Sequence, residues 1–231
     1  MSKKFNVIVA DCPWSFSDKL QQSDVPRGAA ANYSTMSISD IKQLPVKDIT
    51  DPNGAILALW VPSSLLQEGL DTMKTWGFSH RQTYVWVKTK KEPYKKTISA
   101  AFSVAKAAME TFSDKSRRKA ALQKILDELK INNILSFGMG RLFRQTHEIC
   151  LIGISNNKIY KQLSNKSQRS VSFGENLKHS AKPEHLQDSL EIMFPKAQKL
   201  ELFARRHRSG WICLGNEVCN GEDIRVSLSK L

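Results

Sequence analysis

Four consecutive residues, Asp11-Cys12-Pro13-Trp14, could hold a flat ring that carries an amino group. Aspartate accepts hydrogen bonds, and tryptophan offers a flat aromatic face. Pro13 fixes its own φ and biases Cys12 towards an extended backbone, which can hold the Cys12 carbonyl in one direction. The tetrapeptide therefore predicts a binding site for a planar ring with an exocyclic amino group.

More polar residues follow predicted strands later in the chain. Arg205 and His207 come after an apolar run at 200–204, and Asn216-Glu217 comes after a second run at 211–214. The carboxyl ends of strands in an open α/β sheet face one crevice, so these groups are expected near Asp11. Asn216 and Glu217 could bond ribose hydroxyls, while Lys182, Arg205 and His207 could bind a carboxylate. For His207 alone, an ordinary surface histidine is the commoner alternative.

The elements that must position these residues are indicated by short apolar runs. The runs predict buried strands at 5–10, 55–61, 82–88, 147–154, 200–204 and 211–214. Helices are predicted from Ser63 or Ser64 to about Trp76 and from Glu184 to Phe194. A strand, a helix and a strand between 55 and 88 indicate a βαβ unit, and hence an α/β fold with a largely parallel sheet.

Three further segments lie between these elements. Residues 15–34 form either a lid beside the tetrapeptide or a plain connecting loop, and residues 160–182 are polar and loop-like. Residues 94–133 are rich in Ala and Lys and predict helices with a break at Ser113-Asp114. Ten basic and four acidic residues lie between Lys95 and Arg141. This basic insertion either grips nucleic acid or is a solvated helical face.

The overall charge of the chain limits the classes of binding partner that we expect. The formal net charge of +13 favours nucleic acid first and an anionic membrane surface second, although a basic protein without such a partner is the alternative. The four cysteines form no CxxC pair, which argues against zinc or a disulfide framework and fits a reducing, cytosolic setting. No apolar stretch reaches 18 residues, so we expect no membrane span.

Several segments together resemble the adenine N6-methyltransferase family that contains the catalytic subunit of the eukaryotic mRNA methyltransferase, with its bacterial and phage relatives. They occur in the family's order: VIVADCPW in place of the DPPW segment, NYSTMS, LALWVPSSLL, TWGF, YVWVKT, RQTHEICLIGISN, HSAKPEH and ELFARRHRSGWICLGNEV. The resemblance implies a Rossmann-like methyltransferase sheet in circularly permuted order. It implies one methyltransferase domain over residues 1–231, with the helical basic insertion at about 94–137. It also implies S-adenosylmethionine as methyl donor, with no metal.

The resemblance also assigns roles to residues. Asp11 matches the acid that binds the target amino group, and Trp14 matches the aromatic residue associated with the target base. The family usually has proline where this chain has Cys12, a change that is tolerable if the residue acts through its carbonyl oxygen. The expected catalytic segment is thus Asp11, Cys12, Pro13 and Trp14. Asp11 is also an expected donor-binding residue. The other positions matching donor contacts are Lys182 and His207 towards the methionine end, and Arg205, Asn216 and Glu217 towards the ribose.

We therefore expect an enzyme that methylates the N6 amino group of adenine in nucleic acid, with DNA favoured because the compact format resembles bacterial and phage members. The alternatives are an RNA adenosine methyltransferase and a catalytically inactive nucleic-acid-binding partner subunit. A homodimer or a heteromeric partner is possible for either. The expected location is the cytoplasm of a bacterium or of a phage-infected host.

Overall fold

The structure is a computed structural model that describes residues 3–15, 35–128, 134–138, 142–176 and 181–231. The strands within these ranges are β1 Val7–Ala10, β2 Ile56–Val61, β3 Ser79–Thr89, β4 His147–Ile154, β5 Val171–Glu175, β6 Lys199–Leu202 and β7 Trp211–Leu214. The α-helices are α1 Ile38–Lys42, α2 Leu66–Thr75, α3 Pro93–Thr111, α4 Lys115–Glu128, α5 His185–Met193 and α6 Ile224–Ser229. Short 3₁₀ segments lie at Val46–Ile49, Ser63–Leu65 and Asn157–Gln162.

Local sequence explains several helix boundaries. The Ser37 hydroxyl caps α1 by accepting a hydrogen bond from the Asp40 backbone N–H at 3.1 Å. Pro93 is the first residue of α3, where its missing N–H costs no helical bond. Gly77, with φ at +86°, follows the end of α2, a conformation that side-chain-bearing residues rarely adopt. Gly77 thus ends α2 close to the predicted end at about Trp76.

The seven strands form one mixed sheet in the order β5-β3-β4-β2-β1-β6-β7. β1 lies between β2 and β6 and is parallel to both, and β6 is parallel to β7. Every residue of β1 and β2 is buried, which explains why both strands are continuous apolar runs in the sequence. The predicted α/β class and the parallel arrangement of these four strands are confirmed.

β4 departs from the predicted parallel sheet because it runs antiparallel to β2. The register places Val61, at the carboxyl end of β2, opposite Ile149, near the amino end of β4. A parallel neighbour must enter the sheet at the same end as β2, whereas β4 enters at the end where β2 leaves it. The residues at the start of β4 therefore lie beside the strand ends that were predicted to carry the site.

The prediction of a loop over 160–182 is wrong at β5, and α6 was not predicted. Burial alternates along β5, with Val171, Phe173 and Glu175 exposed. β5 is an edge strand of only five residues, Val, Ser, Phe, Gly and Glu. In the sequence, so short an alternation cannot be distinguished from a polar loop. The candidate lid at 15–34 lies, except for Ser15, outside the described residues.

Two compact units divide the chain, and each has its own packing. The first comprises Met1–Val85, Glu148–Ser172 and His179–Leu231. Its core is built from the inner strands and α2, and includes fully buried Ile8, Leu57 and Trp76. No helix in the described ranges is both long and apolar enough to cross a membrane.

The second unit comprises Trp86–His147 and Phe173–Lys178 and contains the helical pair α3 and α4. Helices were predicted for residues 94–133, and the described part of this range contains two, with their break between Thr111 and Lys115 as expected. Residues 129–133 lie outside the described residues. Ala108 of α3 is buried, and the Arg118 Nε of α4 donates a hydrogen bond to the Phe112 carbonyl. This bond joins the start of α4 to the end of α3.

Candidate active site

Asp11 lies directly after β1, at the carboxyl edge of the central parallel strands. The last residue of β1, Ala10, is in register with Leu59 of β2 and Leu202 of β6. Strand ends from three neighbours therefore meet around Asp11, in the position where open α/β sheets bind ligands. The Asp11 side chain is about one-quarter exposed and remains open to a ligand.

Lys182, which was predicted to bind the methyl donor, contacts Asp11, which was predicted to bind the target amino group. Its Nζ lies 3.0 Å from both carboxylate oxygens of Asp11 and 3.1 Å from Glu148 Oε2. It also lies 5.7 Å from the centroid of the Trp60 ring, a cation–π distance. Burial disfavours the ammonium form, but the charges of Asp11 and Glu148 outweigh it and raise the pKa of Lys182 above its usual value.

Glu148 was not among the predicted site residues. It is the second residue of β4 and reaches the site because β4 is antiparallel to β2. The available signal was an acidic residue inside the otherwise apolar run HEICLIGI, since a carboxylate in a buried strand usually has a partner. With Asp11 and Lys182 it forms a group of two negative charges and one positive charge, which complements a cationic ligand.

The backbone of the tetrapeptide forms a tight turn. The Trp14 N–H donates to the Cys12 carbonyl at 2.9 Å, across Pro13, and the Pro13 carbonyl accepts from Met36 N–H at 2.8 Å. Proline suits the middle of such a turn because its φ is fixed near the required value. A carbonyl has two lone pairs, so that of Cys12 retains capacity for a second hydrogen bond.

The side chains of Cys12 and Trp14 face the protein interior. Cys12 is 4% exposed, and burial raises the pKa of its thiol well above the ordinary value, so the thiol stays protonated at neutral pH. Trp14 is also 4% exposed, and its Nε1 donates to the Trp60 carbonyl at 2.9 Å. In this arrangement Trp14 anchors the turn, and the stacking of its ring on a base stays a prediction.

The second group of predicted residues lies after β6 and β7. Arg205 and Glu217 form an ion pair at 3.5 Å, which joins the two strand ends. His207, Asn216 and Glu217 are exposed. The structure therefore brings Asp11 to Lys182 and Arg205 to Glu217, and leaves His207 and Asn216 on the surface of the same unit.

Gly215 allows the two loops to approach each other closely. A Cβ atom at this position would lie 2.3 Å from the Ala204 carbonyl oxygen and 2.7 Å from the Ala204 nitrogen. The Ala204 N–H also donates to the Leu214 carbonyl at 2.9 Å. A side chain at 215 would thus separate the segment that carries Arg205 from the segment that carries Glu217.

Arg208 attaches the loop after β6 to α5, the helix that begins shortly after Lys182. Its guanidinium bonds Glu191 at 2.7 Å and Asp188 at 2.5 Å, and it also pairs with Glu184. The hydrogen bond to Glu191 is the main cause that raises the pKa of Arg208. Neighbouring Arg206 donates to the Lys182 carbonyl at 3.4 Å. Sequence reasoning placed Arg205 and His207 in the site and missed this supporting role.

A methyl donor such as S-adenosylmethionine carries a carboxylate, an ammonium, a sulfonium and ribose hydroxyls, and the chemistry of these residues fits it. Lys182 offers a cation for a carboxylate, while Asp11 and Glu148 offer negative charge for a sulfonium. The exposed Glu217 carboxylate is an acceptor for hydroxyl groups. Among the described residues, no group of three or more His, Cys, Asp or Glu side chains is placed to hold a metal ion.

Comparison with known proteins gives a consistent match over nearly the whole chain. The MT-A70 family model matches residues 5–113 and 116–217. An Arabidopsis thaliana protein named N(6)-adenosine-methyltransferase MT-A70-like is 26% identical over 217 residues, which cover 93% of this chain and 24% of that protein. The human N(6)-adenosine-methyltransferase catalytic subunit METTL3 is 24% identical over 217 residues, covering 93% of this chain and 28% of METTL3.

A bacterial relative is matched over most of its own length. The type II methyltransferase M.MunI of a Mycoplasma species is 24% identical over 231 residues, which cover 94% of this chain and 78% of M.MunI. By contrast, the chain spans only about a quarter of the length of the plant and animal proteins it matches. The shared part is thus one region of those longer proteins and most of the bacterial one.

Proposed function

Because this chain belongs to the MT-A70 family, we propose that it transfers a methyl group from S-adenosylmethionine to the exocyclic N6 amino group of adenine in DNA. The observation that carries the proposal is the contact between Lys182 and Asp11, with both carboxylate oxygens 3.0 Å from Nζ. Asp11 is the expected ligand of the target amino group, and Lys182 is an expected ligand of the donor. Their contact supports a single site for both substrates.

Asp11 and the Cys12 carbonyl are the proposed acceptors for the target amino group. The lone pair of an adenine amino group is delocalised into the ring, which makes the nitrogen a poor nucleophile. Two hydrogen bonds from the amino group to these acceptors would favour a tetrahedral nitrogen whose lone pair is available for attack. The tight turn at Pro13 supports this role because it fixes the Cys12 carbonyl relative to Asp11.

The donor would be held by the downstream residues. When bound, S-adenosylmethionine supplies an electrophilic methyl group on a positively charged sulfur. We assign Lys182 and His207 to the methionine end of the donor, and Arg205, Asn216 and Glu217 to the ribose. The negative charges of Asp11 and Glu148 would favour the sulfonium and, later, the positive charge that develops on the adenine nitrogen.

Transfer needs no covalent enzyme intermediate. In the proposed transfer the bond between the methyl carbon and the adenine nitrogen would form as the bond between that carbon and sulfur breaks. The electron pair of the broken bond would stay on sulfur, and the amino nitrogen would then release one proton. The Asp11 carboxylate is the nearest proposed acceptor for that proton. Positioning of the two substrates would supply much of the acceleration, and the preorganised acceptors would supply an electrostatic share.

DNA is the proposed polymer because a bacterial type II methyltransferase, M.MunI, matches 94% of this chain. A target base in a duplex would have to leave the base stack before it reaches Asp11. RNA adenosine is the second candidate, supported by the names of the longer relatives. Whether the chain acts as a homodimer or with a different subunit stays a prediction, as does its cytoplasmic location.

The test is mass spectrometry of nucleosides after separate incubations of the purified protein with S-adenosylmethionine and either duplex DNA or RNA. We expect N6-methyldeoxyadenosine from DNA. N6-methyladenosine from RNA alone would overturn the choice of DNA. No methylated adenine from either polymer, together with no donor binding by calorimetry, would favour the inactive partner subunit instead.

A further inference from the structure

α4 carries a concentration of cations that the fold of its own unit does not use. Lys115, Arg117, Lys119 and Lys124 are exposed, and no acidic residue occurs between 115 and 124. Within the described part of the chain these four cations form no ion pair. On α3, by contrast, Lys95 pairs with Glu92 and Lys106 pairs with Glu110. α4 therefore carries four exposed cations within ten residues, without an acidic partner among the described residues.

The position of these cations in α4 is electrostatically unfavourable for the isolated helix. Three of them fall within the first five residues, where the helix dipole is positive and acidic residues are normally preferred. Asp114 already caps this end, because its carboxylate accepts the Arg117 backbone N–H at 2.8 Å. Helix stability thus gains nothing from Lys115, Arg117 or Lys119, which points to a polyanionic partner.

We propose that α4 is a docking surface for the sugar–phosphate backbone of duplex DNA. The inference rests on the proposed function, since it assigns the surface that holds the polymer to be methylated. Charge complementarity supports the partner, because phosphate neutralisation by Lys and Arg dominates the affinity of proteins for DNA. α4 contains no aromatic residue, so it is not a stacking platform of the kind that binds single strands.

The test compares two triple variants of the full chain. The first is Lys115→Ala, Arg117→Ala and Lys119→Ala, which leaves Arg118 and its bond to Phe112 intact. The matched control is Lys47→Ala, Lys74→Ala and Lys196→Ala, which removes three exposed lysines from the first unit. Both lower the net charge equally. Binding of a labelled duplex is measured by fluorescence anisotropy between about 50 and 200 mM salt, without donor or turnover.

We expect the α4 variant to bind duplex at least about tenfold more weakly than the original protein. The slope of log affinity against log salt concentration should decrease in magnitude by roughly 0.9 for each phosphate that is no longer neutralised. The control should stay within about threefold of the original protein, as expected for a small change in long-range steering. Thermal unfolding should occur at or above the original temperature in the α4 variant, because cations are removed from the positive end of a helix.

Equal binding by the two triple variants would overturn the proposal, as would absence of duplex binding by the original protein. Competition by polyglutamate as effective as that by unlabelled duplex would also overturn it, since that result indicates an acidic protein partner. Failure of this proposal can be distinguished from failure of the proposed function. If the protein methylates DNA but the α4 variant binds duplex as well as the control, only the proposed docking surface is rejected. If the protein methylates RNA alone but duplex binding depends on α4, only the choice of DNA as substrate is rejected.

Discussion

The ammonium of Lys182 lies 3.0 Å from each carboxylate oxygen of Asp11, although the two residues are 171 positions apart in the chain. Glu148 completes the group at 3.1 Å from the same ammonium. Lys182, which was expected to bind the methyl donor, therefore also orients Asp11, which was expected to bind the adenine amino group. This coupling predicts that changes at Lys182 affect both substrates.

Replacement of Lys182 by methionine should weaken donor binding and methyl transfer together. Two partly buried carboxylates would lose their common cation, which should also lower the free energy of unfolding by about 1–3 kcal/mol. Calorimetry with the donor, single-turnover kinetics and chemical denaturation measure the three effects. Lys182→Arg is the control, since it keeps the charge and should retain more of all three properties. Unchanged donor affinity in the methionine variant would contradict the double role.

The pH dependence of stability provides a separate check on Lys182. Its pKa is raised in the folded protein, so its stabilising contribution is fully present below the unfolded pKa of about 10.4 and is lost as pH rises through the folded value. The difference in unfolding free energy between the original protein and Lys182→Met should thus be constant up to about pH 10 and shrink above it. A difference that changed between about pH 6 and 9 would indicate a lowered lysine pKa and contradict this account.

Cys12 should be replaceable as long as its carbonyl keeps its direction. Because the side chain is buried and its thiol stays protonated, we expect Cys12→Pro and Cys12→Ala to retain methyl transfer within about tenfold, with a stability cost of roughly 1 kcal/mol for the smaller alanine. Thiol-reactive reagents should label exposed Cys219 much faster than Cys12. Loss of activity in both variants with unchanged folding would show that the thiol itself takes part.

Arg208 should affect the donor through the loop that it holds. Removal of its side chain takes the shared cation from three partly exposed carboxylates, those of Glu184, Asp188 and Glu191, so Arg208→Met should destabilise the protein by about 1–2 kcal/mol. At temperatures where the variant stays folded, the KM for the donor should rise more than kcat falls. Arg208→Lys should restore stability only in part, because lysine cannot bond three carboxylates in fixed directions. A fall in kcat with an unchanged KM would contradict this positioning role.

Local patterns were sufficient for the central strands and for the place of Asp11. β1 and β2 are buried on both faces, so their apolar runs identify them without any knowledge of neighbours. Lys182, Arg205 and Glu217 were found through resemblance and strand ends, and the structure places Lys182 and Arg205 in contact with other predicted residues.

Other features depend on relations that no local pattern records. The direction of β4 is set by pairing with β2, and only that direction brings Glu148 to Lys182. The bonds of Arg208 to α5 join segments about 20 residues apart, and in the sequence Arg208 looks no different from Arg205 or Arg206. The buried Trp14 ring likewise has its hydrogen-bond acceptor, the Trp60 carbonyl, 46 residues away in the chain.

The most direct measurement is single-turnover transfer of a deuterated methyl group to adenine in duplex DNA, with Asp11→Asn compared against the original protein at saturating donor. Asparagine keeps the size of the side chain but loses its negative charge. We predict a fall in rate of about 10²–10³-fold, with donor affinity weakened only partly. Transfer by Asp11→Asn at the original rate would contradict the assignment of Asp11 as the residue that receives the adenine amino group.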